Sequence, residues 1–276
     1  MSGDNVRLSK LIASRGVASR REAEALISAG RVSCDGEVVK GVILVNPDMA
    51  DVRIDGKPLP SPAERVVYLF HKPKGYLTTR ADPEGRKTIF DLLGDLRVRV
   101  EPVGRLDMDT EGAILLTNDG GLAHRLTHPS HRVPKRYIAK VYRTPDERDL
   151  RLIEKGQVYL EDGPAAPAKV RVLETTDSGN AWMEVTVTEG RNRLIRRLFA
   201  QLGHPVSKLR RETFATISIR KLERGAIRRL SANEVARIED ISRGKQPAKA
   251  GKKRGKGFAK AKPKRKRLGK RGRQRG

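Results

Sequence analysis

Three prolines within five residues, Pro58-Leu-Pro-Ser-Pro62, limit how this chain can fold more than any other feature. Proline lacks a backbone N–H and fixes φ, so neither a helix nor an interior strand runs through such a segment. The break separates a short unit, residues 1–62, from a long one that starts at residue 63. A second division is compositional. From Arg243 to Gly276, 17 of 34 residues are Lys or Arg, none is acidic, and Phe258 and Leu268 are the only large apolar side chains. Such a stretch cannot bury enough surface to offset its ordering entropy, which predicts a disordered basic tail over 243–276. The long folded unit therefore spans 63–242.

In the short unit, Leu8, Leu11 and Ile12 fall at helical spacing and Gly16 supplies a stop. Ser19 followed by Glu22 forms a capping box for a second helix, with Ala23, Leu26 and Ile27 on its inner face and Gly30 at its end. Val32–Cys34, the turn pair Asp35-Gly36 and Val38-Val39 then read as a hairpin. In the long unit, strands are predicted at Val66–Phe70, Ala113–Thr117, Tyr137–Tyr142, Ala168–Leu173, Trp182–Thr188 and Thr213–Ile219. Helices are predicted at Gly121–Thr127, Asp146–Lys155, Arg193–Leu202 and Ala232–Ile241, the last opened by Ser231 and Glu234 as a capping box. Strands with irregular helical insertions, rather than strict alternation, argue for an α+β fold.

Charge narrows the class of partner. The formal net charge is +26, of which the tail carries 17 and residues 1–242 only 9. A surface of this sign attracts polyanions, and nucleic acid is the commonest inside a cell. No apolar run reaches the ~20 residues of a membrane-spanning helix, and no signal peptide opens the chain. The single cysteine, Cys34, forms no internal disulfide and fits a reducing compartment. A cytoplasmic protein is the expectation. Arg7, Lys10, Arg15, Arg20 and Arg21 concentrate on the two predicted N-terminal helices and the turn between them, although residues 1–60 as a whole are nearly neutral. Such a cluster is either a solvated helical face or a phosphate-binding one.

The stretch Val103-Gly-Arg-Leu-Asp-Met-Asp-Thr-Glu-Gly112 is the most informative for chemistry. It places Asp107 in a glycine-bounded loop just ahead of an apolar strand, with Arg105 two residues away. A loop displayed from a rigid strand is a common mount for a reactive group, though an Asp there also serves as a plain turn or capping residue. His124, His128 and His131 are spaced like metal ligands, but Pro129 breaks the helix after His128 and the zinc-hydrolase glutamate is missing, so no metal is expected.

Several blocks carry a resemblance. Arg7-Leu-Ser-Lys-Leu-Ile-Ala-Ser-Arg-Gly16, Ser19-Arg-Arg-Glu-Ala-Glu and Ala29-Gly-Arg-Val-Ser-Cys-Asp-Gly36 are similar to the RNA-binding module first seen in ribosomal small-subunit protein four. Gly104-Arg-Leu-Asp107, Thr110-x-Gly112 and Leu116-Thr-Asn-Asp-Gly120 resemble the signature of the ribosomal RNA pseudouridine synthases. Phe70-His-Lys-Pro-Lys-Gly75 looks like that family's opening motif, with His71 where Asn is usual. Lys135-Arg-Tyr137 looks like the block whose tyrosine stacks on the target base. Glu189-Gly-Arg-Asn-Arg-Leu-Ile-Arg-Arg197 looks like the block that supplies the aspartate's basic partner, with Leu194 where relatives often carry Gln or Glu. The likeness spans roughly residues 6–240.

The resemblance implies a helix–helix–hairpin RNA-binding domain, then a pseudouridine synthase domain on a mixed, largely antiparallel sheet. It implies isomerisation of one uridine to pseudouridine, with Asp107 as the catalytic carboxylate, Arg196 keeping it charged, and Tyr137 stacking on the base. Arg7, Lys10, Arg20, Arg21 and Arg31 are the implied RNA contacts of the first unit. Lys72, Lys74, Arg105, Lys135, Arg191 and Arg193 are those around the site, Arg105 wedging into the RNA or holding a phosphate. No electron or group passes to a third molecule, so no cofactor is required. The basic tail and Asp82-Pro-Glu-Gly-Arg86 look most like the branch acting on large-subunit (23S) RNA, in a stem-loop or a ribosomal precursor, by a monomer. The alternatives are the same chemistry on small-subunit 16S RNA, or a non-catalytic RNA-binding assembly factor. A glycoside hydrolase breaks the same bond type but usually needs two separated carboxylates, and only Asp107 and Asp109 lie close in the signature.

Overall fold

A computed structural model describes residues 5–94, 96 and 98–244; beyond Gly244, the tail expectation lies outside the described residues. Near the N-terminus, α1 (Leu8–Ser14) and α2 (Arg20–Ser28) pack on strands β1 (Val32–Cys34), β2 (Glu37–Val39) and β3 (Val52–Ile54). The hydroxyl of Ser19 accepts from the Glu22 N–H at 3.2 Å while the Ser19 N–H donates back to the Glu22 carboxylate at 2.6 Å, so the capping box forms. Asp35 and Gly36 both take positive φ, the geometry a two-residue hairpin needs to match strand twist. Leu8, Leu11, Ile12, Ala23, Ile27, Val32 and Val52 form one buried cluster, with Leu26 packed partly against it. Burying each large member stabilises the unit by roughly 1.5–3 kcal/mol. The inner faces of two short helices are thus fully used, and Arg7, Lys10, Arg20 and Arg21 are left exposed on the outside.

The larger unit is one mixed sheet. In chain order its strands and helices are β4 (Val67–Lys72), β5 (Glu101–Val103), β6 (Glu111–Thr117), α3 (Gly120–Thr127), β7 (Lys135–Val141), α4 (Glu147–Lys155), β8 (Lys169–Thr175), β9 (Ala181–Val187), α5 (Leu194–Gln201), β10 (Val206–Phe214), β11 (Ile227–Arg229) and α6 (Ala232–Ser242). The spatial order is β8-β9-β7-β10-β6-β4-β11, with β5 beside β6. Every pairing is antiparallel except β10 with β6, which is parallel through Arg210↔Glu111 and Arg211↔Gly112. Two half-sheets therefore meet at one parallel seam.

Period-two alternation decides what each face does. In the β8–β10 half, Ala139, Val141, Met183, Val185 and Leu209 pack with Ile153 of α4 and Leu194, Leu198 and Phe199 of α5. In the other half, Val67, Leu69 and Leu115 pack with Leu122 of α3 and Ile238 of α6. Phe70, Ile114 and Leu116 face the other way and are covered by Ile89 and Val100. The Ser231–Glu234 capping box opens α6 as expected.

One predicted strand is corrected. Thr213–Ile219 is not a strand; the long strand is Val206–Phe214, and the chain turns at Ala215, whose φ is +53°, into a two-residue return at Ile217–Ser218. The run Lys208-Leu-Arg-Arg-Glu212 hides its alternation, because Arg211 is a buried residue of the inner face. At the seam, Gly112 has φ +127°, and a side chain there would meet Arg211 backbone nitrogen at 2.6 Å. Gly112→Ala is expected to lower the unfolding free energy by about 2–3 kcal/mol, through strain at this φ and separation of the strands. Urea denaturation checks this; an unchanged midpoint would show that the seam tolerates a wider spacing.

Candidate active site

The loop between β5 and β6 is held from three sides. Lys72, at the end of β4, has no exposed surface, and its ammonium donates to the carbonyls of Pro73 at 3.0 Å, Asp107 at 3.1 Å and Thr110 at 2.9 Å. Thr78, also buried, satisfies both backbone groups of Leu106: its hydroxyl donates to the carbonyl at 2.8 Å and accepts from the N–H at 3.2 Å. The Gly75 N–H donates to the Met108 carbonyl at 2.8 Å. A loop so fully bonded presents the Asp107 side chain in one position. Burial pushes the Lys72 ammonium down to about 8, even though Asp107 and Asp109 nearby pull in the other direction.

Asp107 lines a cavity of about 390 Å³. Its carboxylate is about one-third exposed (32%) and lies 3.7 Å from the Arg193 guanidinium. The opposite walls come from β7, through Lys135 and Tyr137, and from β10, through Leu209, Arg211 and Phe214. Arg105, Arg191 and Asn192 complete the rim. Five basic side chains face the cavity against two carboxylates, Asp107 and Glu189, and Glu189 is itself paired with Arg191 at 3.2 Å. That balance suits an anionic ligand.

The structure sorts the expected site residues. Asp107, Tyr137, Arg105, Lys135, Arg191 and Arg193 come together around the cavity. Arg196 does not pair with Asp107. Its fork is engaged by Asp109, at 2.9 Å from the carboxylate, and by the Val206 carbonyl at 3.0 Å. The reason is local: Arg193 caps α5 in the left-handed region, with φ +47°, so the cap residue, not the first-turn residue Arg196, reaches Asp107. Lys72 is likewise no RNA contact, because it is sealed inside the protein as the loop's anchor. Lys135 is largely buried, donates to the Val133 carbonyl at 3.2 Å, and is lowered to about 8, first by burial and then by Arg211. Arg191 is tied to Asp162 at 3.0 Å, while Arg31 is gripped by Asp55. Lys74 is exposed and opens on a different groove.

Sequence reasoning missed Arg211. It is 2% exposed, donates to the Ala113 carbonyl at 2.6 Å, and lies 4.9 Å from the Phe214 ring centroid on the cavity wall. Only the correct span of β10 would have turned it inward. The rings of His124 and His128 stand 5.2 Å apart, and those of His128 and His131 6.0 Å. Among the described residues no group of three or more His, Cys, Asp or Glu is placed to hold a metal. Among them, too, no helix is long and apolar enough to cross a membrane.

The chain is similar to known proteins over most of its length. The profile described as RNA pseudouridylate synthase matches residues 66–201, and that of the S4 domain matches residues 6–46. The chain is 43% identical over 235 residues to an uncharacterized RNA pseudouridine synthase of Aquifex aeolicus, covering 84% of this chain and 93% of the other. It is 41% identical over 239 residues to ribosomal large subunit pseudouridine synthase B of Bacillus subtilis, covering 86% and 96%. With the protein of that name from Escherichia coli (strain K12) the identity is 44% over 227 residues, covering 79% and 77%. A crystal structure of a pseudouridylate synthase superposes with a TM-score of 0.60 at 29% identity, covering 84% of this chain and 99% of that one.

The buried lysines predict a pH signature. Folding lowers the proton affinity of Lys72 and Lys135 from 10.5 to about 8, so between those values the unfolded chain binds more protons than the folded one. Their contribution to stability must then increase as pH rises from about 8 towards 10.5. Lys72→Met is expected to remove part of that upward slope. Urea unfolding at pH 8 and pH 10 measures it, and an identical slope in the variant would show that the ammonium is not desolvated.

Proposed function

We propose that this chain, which belongs to the RNA pseudouridylate synthase family, isomerises one uridine of large-subunit (23S) ribosomal RNA to pseudouridine with Asp107 as the catalytic group. The observation that carries the reading is the Asp107 carboxylate on the wall of a basic, nucleoside-sized cavity, beside Arg193. The assignment to the large subunit follows the names of the Bacillus subtilis and Escherichia coli relatives.

The reaction breaks the bond from ribose C1′ to uracil N1, turns the base, and joins C1′ to C5. The C5 proton is lost and N1 takes one up, so no atoms are gained and no electrons leave. A carboxylate can promote this by attacking or deprotonating the sugar or by adding to the base; each route needs it held still and shielded from bulk water. The carbonyl grip of Lys72 and Thr78 on the loop supplies the first condition; with the side chain about one-third exposed in the free protein, the second is met when the extruded base fills the cavity. A volume of about 390 Å³ is at the small end of ligand pockets, which run from about 300 to 1,000 Å³. It admits one extruded nucleoside and no duplex.

Extrusion costs a few kcal/mol. Stacking on Tyr137 would return about 1–3 kcal/mol, and phosphate contacts from Arg105 and Arg193 would offset the rest. Arg196 acts at one remove, by fixing Asp109 and with it the distal turn of the catalytic loop. The N-terminal module brings Arg7, Lys10, Arg20 and Arg21 to a structured RNA, and the basic tail adds sequence-independent attraction that weakens with salt. The protein works in this reading as a cytoplasmic monomer on a stem-loop of the RNA or its precursor.

Asp107→Asn is expected to abolish pseudouridine formation by the purified protein while RNA affinity stays within a few fold. Retained turnover would remove Asp107 from its role. Replacing Arg20 and Arg21 together by Ala should weaken RNA binding by about tenfold, equivalent to roughly 1.4 kcal/mol, with single-turnover chemistry at saturating RNA preserved. Equal affinity in a filter-binding assay would count against the helical face as an RNA contact.

A further inference from the structure

On the opposite face of the sheet from the catalytic cavity, a second hollow of about 530 Å³ crosses the side of β8, β9, β7 and β10 that no described helix covers. Its floor is apolar: Ile138, Leu173, Trp182 and part of Leu209. Its rim carries four basic side chains, Lys74, Lys208, Arg210 and Arg224, against two carboxylates, Glu111 and Glu174. Leu209 lines both hollows, and consecutive residues divide between them, Thr110 facing the cavity and Glu111 the groove. The groove therefore starts where the catalytic loop ends.

The strand register makes this face electrostatically incomplete. Lys140 of β7 sits directly opposite Lys208 of β10, and on its other side directly opposite Trp182 of β9. Like charges placed opposite each other across strands destabilise a sheet. Arg210 is offset by Glu212, and Arg224 by Glu111. Lys74, Lys140 and Lys208 pair with no carboxylate among the described residues. The Lys140 ammonium instead lies 5.9 Å from the Trp182 ring centroid. A row of aromatic ring, ammonium and ammonium is what a single-stranded nucleic acid recognises: a base stacks on the ring while phosphates lie between the cations.

We propose that this groove is a second RNA-binding site, holding a single-stranded segment of the substrate RNA that flanks the extruded uridine. It rests on the reading that RNA is the substrate. A bound phosphate between Lys140 and Lys208 relieves their repulsion, and Trp182 takes a base on the face that no described helix covers. The groove reads backbone and base stacking rather than sequence, so it contributes affinity and path, not the choice of nucleotide.

Trp182 is the only tryptophan in the chain, so its emission reports this groove directly. The test titrates the full chain with a fluorescein-labelled 20-nucleotide oligouridylate, following labelled-RNA anisotropy and tryptophan emission. The expected result is quenching of Trp182 by RNA, with affinity reduced five- to twentyfold in Lys140→Glu/Lys208→Glu. The neutral pair Lys140→Gln/Lys208→Gln should fall between that variant and the natural chain, which separates lost contact from misfolding. Unchanged affinity in both double variants overturns the proposal, whatever the emission does. Equal affinity of the natural chain for polyglutamate also overturns it, since the groove would then be a general acid-binding surface. Failure of the natural chain to form any pseudouridine, with groove binding intact, would instead contradict the proposed activity and leave this site standing.

Discussion

A single buried ammonium organises the functional end of this protein. Lys72 sits where β4 runs out beneath the loop that follows β5, and three carbonyls on two separate segments converge on it. Desolvating a lysine is costly, and the depressed proton affinity reflects that cost. What offsets it is the chance to satisfy carbonyls that a tight loop would otherwise strand away from water. The consequence is geometric: the backbone of Asp107 is bonded to the core strand beside it, and its side chain has only the cavity to enter. A neutral or shorter residue at position 72 would leave those oxygens unpaired and the carboxylate free to wander.

The parallel seam between β6 and β10 is the second constraint. It brings the end of the Asp107 loop against Arg211, and only a residue without Cβ permits the approach at Gly112. Because the two half-sheets join there, the cavity borrows walls from both: Asp107 and Thr110 from one, Lys135, Tyr137 and Arg211 from the other. Positive charge thus surrounds the carboxylate without belonging to any one element. The N-terminal module plays a different part. Its core is complete by itself, and Arg7, Arg20 and Arg21 are exposed and spare for a partner, while Arg31 is held by Asp55.

Much of this was legible in the residues. Capping boxes at Ser19 and Ser231, the Asp35-Gly36 hairpin and the apolar strand 113–117 are local signals, and local signals survive tertiary context. The motif around Asp107 identified the family and the loop. What the residues did not disclose depended on long-range contact. Lys72 reads as a surface cation until three distant carbonyls are seen around it. Arg196 stands where the family's basic partner is expected, yet the left-handed cap at Arg193 turns a different guanidinium to Asp107. The charged string before Phe214 concealed β10, and with it Arg211, because a buried arginine breaks the apolar alternation that marks a strand.

The central claim is that this carboxylate remodels one uridine of ribosomal RNA. Its most direct test is a pseudouridine map of ribosomal RNA from cells with and without the protein, and from cells lacking it that express either the natural chain or Asp107→Asn. The account predicts that one large-subunit position loses its pseudouridine, regains it with the natural chain, and stays uridine with the variant. An unaltered map, or full restoration by Asp107→Asn, would contradict it.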